Sequence, residues 1–301
     1  MAEVLEKNRS LETLVAQRDL NLVTGKGGVG KSTVAAALAE LAARRRGGAV
    51  AVESTVCPRL ATMLDPGANI QVVNIELEKA LPLLIGRIAR LPAIINALLT
   101  NRVVRLFLRT APAVGELVLL DEIRELVEAN RPLGRPVIVD LPASGHAVAL
   151  LGTPRAARRL VRVGPIERMC ERLEQMLLDP QRCELVVVAL PEELPVNETI
   201  ELCRLAAEIG LNCRTIVVNQ VPRPPVEEPE RVWLDQVREA NASALGRVAG
   251  AARSELLGVD QARAQIERLR SAVDGAVIEL PRSSDVDPRR RIGVLLHAIA
   301  S

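Results

Sequence analysis

The chain alternates between short runs of consecutive apolar residues and longer segments in which apolar residues recur every three or four positions. Short apolar runs are typical of strands buried in a parallel sheet, and the longer spacing is typical of helices packed on it. The alternation predicts an α/β fold with a doubly wound, mostly parallel sheet. The predicted strands are residues 20–23, 49–52, 136–140, 185–190, 215–220 and 276–280.

The region at 70–130 is predicted to be mainly helical and to form an added layer. Pro82 and Pro92 are expected to divide it, because proline interrupts a helix. Its apolar face fits either an ordinary packed layer or a groove for an apolar helix of a client protein. The absence of methionine between Met63 and Met169 favours the packed layer, since adaptable grooves often use methionine. The face consists of Leu84, Ile88, Leu91, Ile95 and Leu98.

A glycine-rich loop lies between the first predicted strand and a helix predicted from Ser32 to Ala43. It fits G-x-x-x-x-G-K-[ST], in the strand–loop–helix context that this motif requires. The glycines allow backbone N–H groups to point at phosphate oxygens, while Lys31 can reach the β- and γ-phosphates and Ser32 can bind Mg²⁺. The pattern predicts a nucleotide site with Mg²⁺. Its residues are Gly25, Lys26, Gly27, Gly28, Val29, Gly30, Lys31, Ser32 and Thr33.

Other strand ends are predicted to meet this loop, because the carboxyl ends of parallel strands share one edge of the sheet. Asp140 ends a predicted strand and can hold Mg²⁺ through water, and Gly145 can offer its N–H to a γ-phosphate. His146 is either part of the same switch or a packed, capping histidine. Glu53, at the end of an earlier predicted strand, lies two residues before Thr55 and is the only carboxylate near that position.

The loop contains a second lysine, Lys26, directly after its first glycine. In this it resembles the deviant P-loop ATPases: septum-site and chromosome-partitioning ATPases, nitrogenase iron protein, and the arsenite-pump and tail-anchored-protein-targeting ATPases. Residues 140–146 closely resemble the second switch of the last group, with the proline one position early. The strand followed by Pro-Glu-Glu and Glu198-Thr199 also resembles that family. Glu198 would face the nucleotide or a partner's lysine, or only a helix dipole.

The resemblance implies one ATPase unit over residues 1–301 that binds ATP and Mg²⁺ and dimerises. Lys26 would reach across the interface to the partner's nucleotide. Asn219 would recognise the adenine edge, and the segment that begins at Pro281 would close over the base. The dimer, a homodimer or a heterodimer with a related ATPase, would engage a protein partner or an apolar segment.

One position departs from the family pattern. An Asp-Pro pair is expected after the second strand, but Thr55 stands in the aspartate position and Val56 replaces the proline. Thr55 cannot serve as a carboxylate base, although it can orient a water molecule or bind Mg²⁺. Three functions stay open: a slowly hydrolysing ATPase switch, a hydrolysis-deficient regulatory or structural partner of a sister ATPase, and a partitioning or positioning ATPase. For the third, the helix predicted at 287–299 would be a membrane-binding element, but the arginine cluster at 289–291 fits a plain surface helix equally well.

Composition limits the partners. A net charge of +2 and the scarcity of aromatic residues disfavour nucleic acid. The five cysteines are scattered without a C-x-x-C pair, which predicts a reduced, cytoplasmic protein without structural zinc. Arg87 and Arg90 interrupt the apolar stretch at 81–99, so an integral membrane protein is not expected. Residues 1–18 predict a polar helix rather than a signal peptide.

Overall fold

The computed structural model describes residues 17–88, 112–227, 230–231, 233–234, 244–285 and 287–300. The strands are β1 (Leu20–Gly25), β2 (Ala49–Glu53), β3 (Ile70–Asn74), β4 (Val137–Asp140), β5 (Cys183–Ala189), β6 (Thr215–Val221) and β7 (Ala276–Pro281). Within the described residues they form one sheet in the order β3-β2-β4-β1-β5-β6-β7, and every pairing is parallel. The predicted α/β fold is confirmed.

The helices between these strands lie close to the predicted segments. They are α1 (Lys31–Arg46), α2 (Leu60–Met63), α3 (Leu77–Ile88), α4 (Pro112–Asn130), α5 (Ser144–Leu160), α6 (Pro165–Leu178), α7 (Glu193–Glu208), α8 (Ala244–Ala272) and α9 (Pro288–Ala300), with a 3₁₀ turn at Arg131–Leu133. No helix in this described part is long and apolar enough to cross a lipid bilayer.

Helices cover both faces of the sheet. Neighbouring residues along a strand point in opposite directions, so each strand contributes side chains to both helical layers. Leu22 and Val187 pack with α3 to α8 on one face, whereas Val23 and Val186 pack with α1 and α9 on the other. The central strands are therefore buried on both sides. This explains their nearly continuous apolar runs.

The region at 70–130 differs from the prediction at two points. Residues 70–74 form β3, a partly exposed edge strand, instead of helix. Pro82 lies inside α3 and does not divide it. Its ring is on the exposed side of the helix, while Leu81 and Leu84 are buried against the core, so packing outweighs the lost backbone hydrogen bond.

Part of the predicted helical layer lies outside the described residues. This applies to Pro92 and to the continuation of the apolar face through Leu91, Ile95 and Leu98. Residues 1–16 of the predicted N-terminal helix also lie outside them. The client-groove interpretation accordingly stays a prediction.

The last helix packs onto the core instead of presenting an apolar face to solvent. Ile292, Leu295 and Leu296 of α9 are buried in the cluster that also contains the apolar residues of α1. The apolar face of α9 is therefore in contact with the protein core and is not exposed to a partner or a membrane.

β1 occupies the point in the sheet where the order of strands reverses. β4 pairs with one side of β1 and β5 with the other. Ligands of doubly wound sheets bind at the carboxyl ends of the strands beside such a point. The loop from Gly25 to Gly30, called the P-loop below, starts at this position.

Candidate nucleotide-binding site

The P-loop approaches its neighbours too closely for a side chain at two of its glycines. A Cβ on Gly25, whose φ is +148°, would lie 2.1 Å from the carbonyl oxygen of Val188. Gly30 has a φ of +92°, and a Cβ there would lie 2.4 Å from the side-chain nitrogen of Asn219. Gly30 also caps α1, so the positive end of that helix opens onto the loop. The loop has the form of an anion-binding site.

Lys31, the first residue of α1, folds back over the loop. Its Nζ donates to the carbonyl oxygen of Lys26 at 3.1 Å. Burial lowers the pKa of Lys31, and the negative charge of Asp140 opposes this change. The ammonium group is already partly removed from water, so it loses little hydration when it meets an anion in the loop.

Ser32 and Asp140 meet at the base of the loop. Ser32 Oγ donates to Asp140 Oδ2 at 2.5 Å. Asp140 Oδ1 is buried and has no hydrogen-bond partner among the described residues. Burial raises the pKa of Asp140, the hydrogen bond from Ser32 and the charge of Lys31 lower it, and the charge of Glu53 raises it further. A buried carboxylate oxygen without a partner beside a hydroxyl oxygen fits Mg²⁺, which prefers oxygen ligands.

The segment after β4 is tied to β1. The N–H of Leu141 donates to the carbonyl oxygen of Val23 at 2.9 Å, and Thr24 Oγ1 donates to that of Pro142 at 3.2 Å. α5 begins at Ser144 instead of at residue 147 as predicted. Gly145 and His146 therefore lie in the exposed first turn of α5, and their switch roles stay predictions.

The segment after β2 is arranged differently. Glu53 is buried. Its carboxylate accepts hydrogen bonds from the N–H groups of Arg59 at 2.9 Å and Leu60 at 3.2 Å. The carboxylate thereby caps the amino end of the short helix α2. Thr55 is exposed and pairs with Asn74 at the end of β3: its N–H donates to Asn74 Oδ1 at 3.1 Å, and its carbonyl oxygen accepts from Nδ2 at 3.0 Å. The hydroxyl of Thr55 accepts the N–H of Cys57 at 3.3 Å.

Asn74 was not predicted to belong to this region. It ends an edge strand that the sequence pattern did not reveal, and its partner is 19 positions away along the chain. Nothing in the local sequence pointed to the pair. The proposed catalytic role of Thr55 stays a prediction.

Lys26 is bound within its own chain. Its Nζ donates to Glu198 Oε1 of α7 at 2.6 Å, and the side chains of Lys26 and Glu198 are 37% and 44% exposed. The sequence placed both residues near the nucleotide but did not predict that they pair. An exposed pair of this kind contributes little to stability, typically about 0–1 kcal/mol. It can therefore be exchanged for another contact at low cost.

Asn219 forms a side-chain hydrogen bond to the backbone of the P-loop. It is buried, and its Nδ2 donates to the carbonyl oxygen of Val29 at 2.9 Å. The next residue, Gln220, has a φ of +59° and lies at an irregularity in the β6–β7 pairing. Such irregularities re-aim side chains and occur often near functional sites. This supporting contact was not foreseen, and the adenine-recognition role of Asn219 stays a prediction.

Pro281 ends β7 opposite Val221, and the next N–H, that of Arg282, donates to Val221 at 2.9 Å. A cleft of about 480 Å³ lies beyond these strand ends. Its lining includes Pro222, Arg223, Arg282, Ser283 and Ser284. The segment after β7 thus borders an opening near the same edge of the sheet as the P-loop.

Comparison with known proteins agrees with this geometry. A sequence model described as anion-transporting ATPase matches residues 19–171. The ATPase BagA of Mycobacterium tuberculosis is 28% identical over 220 residues, covering 67% of this chain and 64% of BagA. An uncharacterized protein of Streptomyces coelicolor is 33% identical over 224 residues, covering 67% of this chain and 54% of that protein. The chain thus spans less than two thirds of the length of these relatives. With its P-loop, its facing aspartate and a match over half of its length, the chain belongs to the anion-transporting ATPase family.

Proposed function

We propose that this protein binds Mg·ATP in the P-loop, hydrolyses it slowly, and uses it to switch a dimer between two states. The observation that carries the proposal is the Ser32–Asp140 pair near Lys31, with one buried oxygen of Asp140 unpaired. Family membership and the similarity to the ATPase BagA support it.

Each residue of the site has a distinct task in this proposal. Lys31 binds the β- and γ-phosphates, while Ser32 and Asp140 hold Mg²⁺, the latter through water. When bound, Mg²⁺ neutralises charge on the phosphate oxygens. Gly145 offers its N–H to the γ-phosphate, since the first N–H groups of a helix have no partner within it. Loss of that phosphate would release α5 from the site.

Lys26 would act in the dimer. It would leave Glu198 and bind the nucleotide held by the partner subunit, so that ATP stabilises the closed dimer more than the open one. Such unequal binding is what a nucleotide switch requires. The exposure of both side chains supports the proposal, because neither needs to leave a buried environment.

The base would lie near the ends of β6 and β7, beside the cleft bordered by the segment after Pro281. Asn219 would supply the donor and acceptor that the adenine edge needs. Its amide nitrogen already donates to the carbonyl oxygen of Val29 in the structure. The same amide would then couple base recognition to the P-loop.

A second candidate is a subunit that binds ATP without hydrolysing it and regulates a sister ATPase. The carboxylate of Glu53 favours it, because that group is engaged in capping α2 and Thr55 is not a carboxylate. In that case the dimer would be a heterodimer. A positioning ATPase is less well supported, since the apolar face of α9 is buried.

A client and a compartment complete the proposal. The dimer would engage a protein partner or an apolar segment, in keeping with the resemblance to targeting ATPases. We place it in the cytoplasm, and five free cysteines support a reducing environment.

Calorimetry with Mg·ATP, combined with phosphate release, tests the nucleotide site. Wild type is expected to bind and to release phosphate slowly. Lys31→Ala should bind roughly 30- to 150-fold more weakly, because a contact with a charged group contributes about 2–3 kcal/mol. Lys79→Ala, at an exposed lysine paired with Glu76, is the matched control and should behave as wild type. Binding without phosphate release would favour the regulatory subunit, and no binding by wild type would overturn both functions.

Light scattering with ATP and with ADP tests the dimer. A dimer with ATP that dissociates with ADP is expected. Glu198→Gln should strengthen the ATP-bound dimer about two- to five-fold, because Lys26 is released from an exposed ion pair. Glu201→Gln, on the same helix and paired with Arg204, is the control. A protein that stays monomeric with both nucleotides would rule out a homodimer.

A further inference from the structure

Two cysteines lie in contact at the edge of the sheet opposite the P-loop. Cys203 belongs to α7, and Cys213 lies just before the amino end of β6. Their Sγ atoms are 3.4 Å apart, and both residues are partly exposed free thiols. Nothing in the nucleotide site involves this pair.

The two sulfurs are in direct non-bonded contact. A disulfide has a length of about 2.05 Å, so the sulfurs need to approach each other by roughly 1.4 Å. The other cysteines differ: Cys170 and Cys183 are buried, and Cys57 is exposed in the segment after β2. In the described part of the chain, no second thiol is in contact with any of these three.

The pair is accessible to a small reagent. A cavity of about 520 Å³ is lined by both cysteines and by their neighbours Asn212 and Arg214. A hydroperoxide or a small organic disulfide would fit this volume. The contact therefore combines proximity with access, which the buried cysteines lack.

We propose that Cys203 and Cys213 are a redox-active dithiol that a hydroperoxide oxidises to an intrachain disulfide. The thiolate of Cys203 attacks one peroxide oxygen, the O–O bond breaks, and the leaving oxygen takes up a proton as water or an alcohol. Cys203 is then a sulfenic acid. The sulfur of Cys213 attacks the sulfur of Cys203, the S–S bond forms, and the hydroxyl leaves as water with the thiol proton. Two thiols lose two electrons in total, and the peroxide gains them.

The two sulfurs share one hydrogen bond, in which either sulfur can be the donor. It lowers the pKa of Cys203 against the effect of burial, whereas the same bond and burial raise the pKa of Cys213. The thiolate is the reactive form of cysteine. The proposal assigns the attack to Cys203 and the resolution to Cys213, and single variants test this order.

The disulfide would join two elements whose other parts reach the P-loop. α7 carries Glu198, which pairs with Lys26, and β6 carries Asn219, which bonds to Val29. Oxidation would thus tie together two supports of the P-loop from the far side of the sheet. The proposal itself concerns the dithiol and does not depend on nucleotide binding.

Peptide mapping of the full chain after hydrogen peroxide treatment tests the proposal. Free thiols are first blocked by alkylation, and the protein is then digested with trypsin and a glutamyl protease. Cleavage after Glu201, Arg204 and Glu208 separates Cys203 from Cys213 and both from Cys183. We expect one cross-linked peptide pair containing Cys203 and Cys213, which a dithiol reductant returns to two free thiols.

Single variants test the order of attack. With a reagent that labels sulfenic acids, Cys213→Ser should be labelled at Cys203, whereas Cys203→Ser should not be labelled at Cys213. Cys57→Ser is the matched control and should cross-link as wild type. Circular dichroism checks that each variant is folded. The peptide map of the wild-type protein tests the disulfide even if a variant does not fold. The proposal is overturned if peroxide modifies Cys57 while Cys203 and Cys213 both remain thiols, or if the disulfide joins another pair.

Discussion

The segments after β4 and β2 start side by side at one edge of the sheet, but they are held by different neighbours. Asp140 and Glu53 are register partners at the ends of their strands. The first segment is bonded to the P-loop helix through Ser32 and to β1 through Leu141. The second is bonded to its own short helix and, through Thr55, to the edge strand.

In the proposed function, this difference would separate nucleotide binding from hydrolysis. Asp140 keeps one oxygen unpaired beside the P-loop, which suits a metal ion. Glu53 uses its carboxylate to hold α2, and Thr55 offers a hydroxyl that already accepts the N–H of Cys57. The segment after β4, which contacts the P-loop helix, therefore follows the family pattern more closely than the segment after β2, which is expected to position the attacking water.

The largest effect is expected when the missing carboxylate is restored. Thr55→Asp should raise the rate of phosphate release about 100-fold, because a positioned general base typically contributes 10²–10⁴-fold. The lower end of that range is expected, since Val56 replaces the proline of the family pattern. Phosphate release at saturating Mg·ATP measures the effect.

Thr62→Asp provides the control for added charge alone. Thr62 is an exposed threonine of α2, next to the same segment. It should leave phosphate release unchanged. If Thr55→Asp binds Mg·ATP as wild type does but is no faster, the difference between the two segments does not explain slow hydrolysis.

The next effect distinguishes the two carboxylates. Asp140→Asn should weaken Mg·ATP binding about tenfold and abolish its dependence on Mg²⁺, because a charged ligand is replaced by a neutral one of the same size. Glu53→Gln should retain the Mg²⁺ dependence. Calorimetry at several Mg²⁺ concentrations measures both. Equal losses in the two variants would mean that both carboxylates serve the metal.

A smaller effect is expected on stability. Glu53→Ala should lower the free energy of unfolding by about 1–2 kcal/mol, because the N–H groups of Arg59 and Leu60 lose their acceptor. Urea unfolding without nucleotide measures it. Glu76→Ala, at an exposed carboxylate paired with Lys79, should stay within about 0.5 kcal/mol of wild type. If the Glu53 variant is as stable as this control, Glu53 does not stabilise α2 by capping it.

The sequence was most informative where a single backbone arrangement fits the residues. The buried strands and the P-loop could be predicted, because apolar runs and the glycines at positions 25 and 30 leave few alternatives. β3 was missed, since a short edge strand with one exposed face has neither a long apolar run nor a strong period. Pro82 was misjudged because packing of its neighbours on the core could not be seen from the local pattern.

Pairings between distant residues formed the part of the site that could not be predicted. Lys26 and Glu198 are separated by 172 positions, and Asn219 lies 190 positions from the P-loop oxygen that it binds. Residue types suggested that these side chains belong near the nucleotide. Which one pairs with which depends on the order of the strands, and no alternation of polar and apolar residues specifies that order.

The smallest expected effect is a dependence of stability on pH that arises from Asp140. Its pKa is raised in the folded protein, mainly by burial, so the folded state binds a proton more readily than the unfolded chain. The contribution of Asp140 to stability should therefore increase as the pH falls from neutral through the raised pKa, and level off below the ordinary value of 3.8. Other carboxylates also titrate, so the quantity to measure is the difference in unfolding free energy between wild type and Asp140→Asn, without Mg²⁺ or nucleotide. Wild type should gain on the variant as the pH falls. If the difference does not change with pH, the Ser32 hydrogen bond and the Lys31 charge fully offset the burial of Asp140. The folded protein would then stabilise the Asp140 carboxylate as well as water does, and the contrast in burial cost between the two segments would disappear.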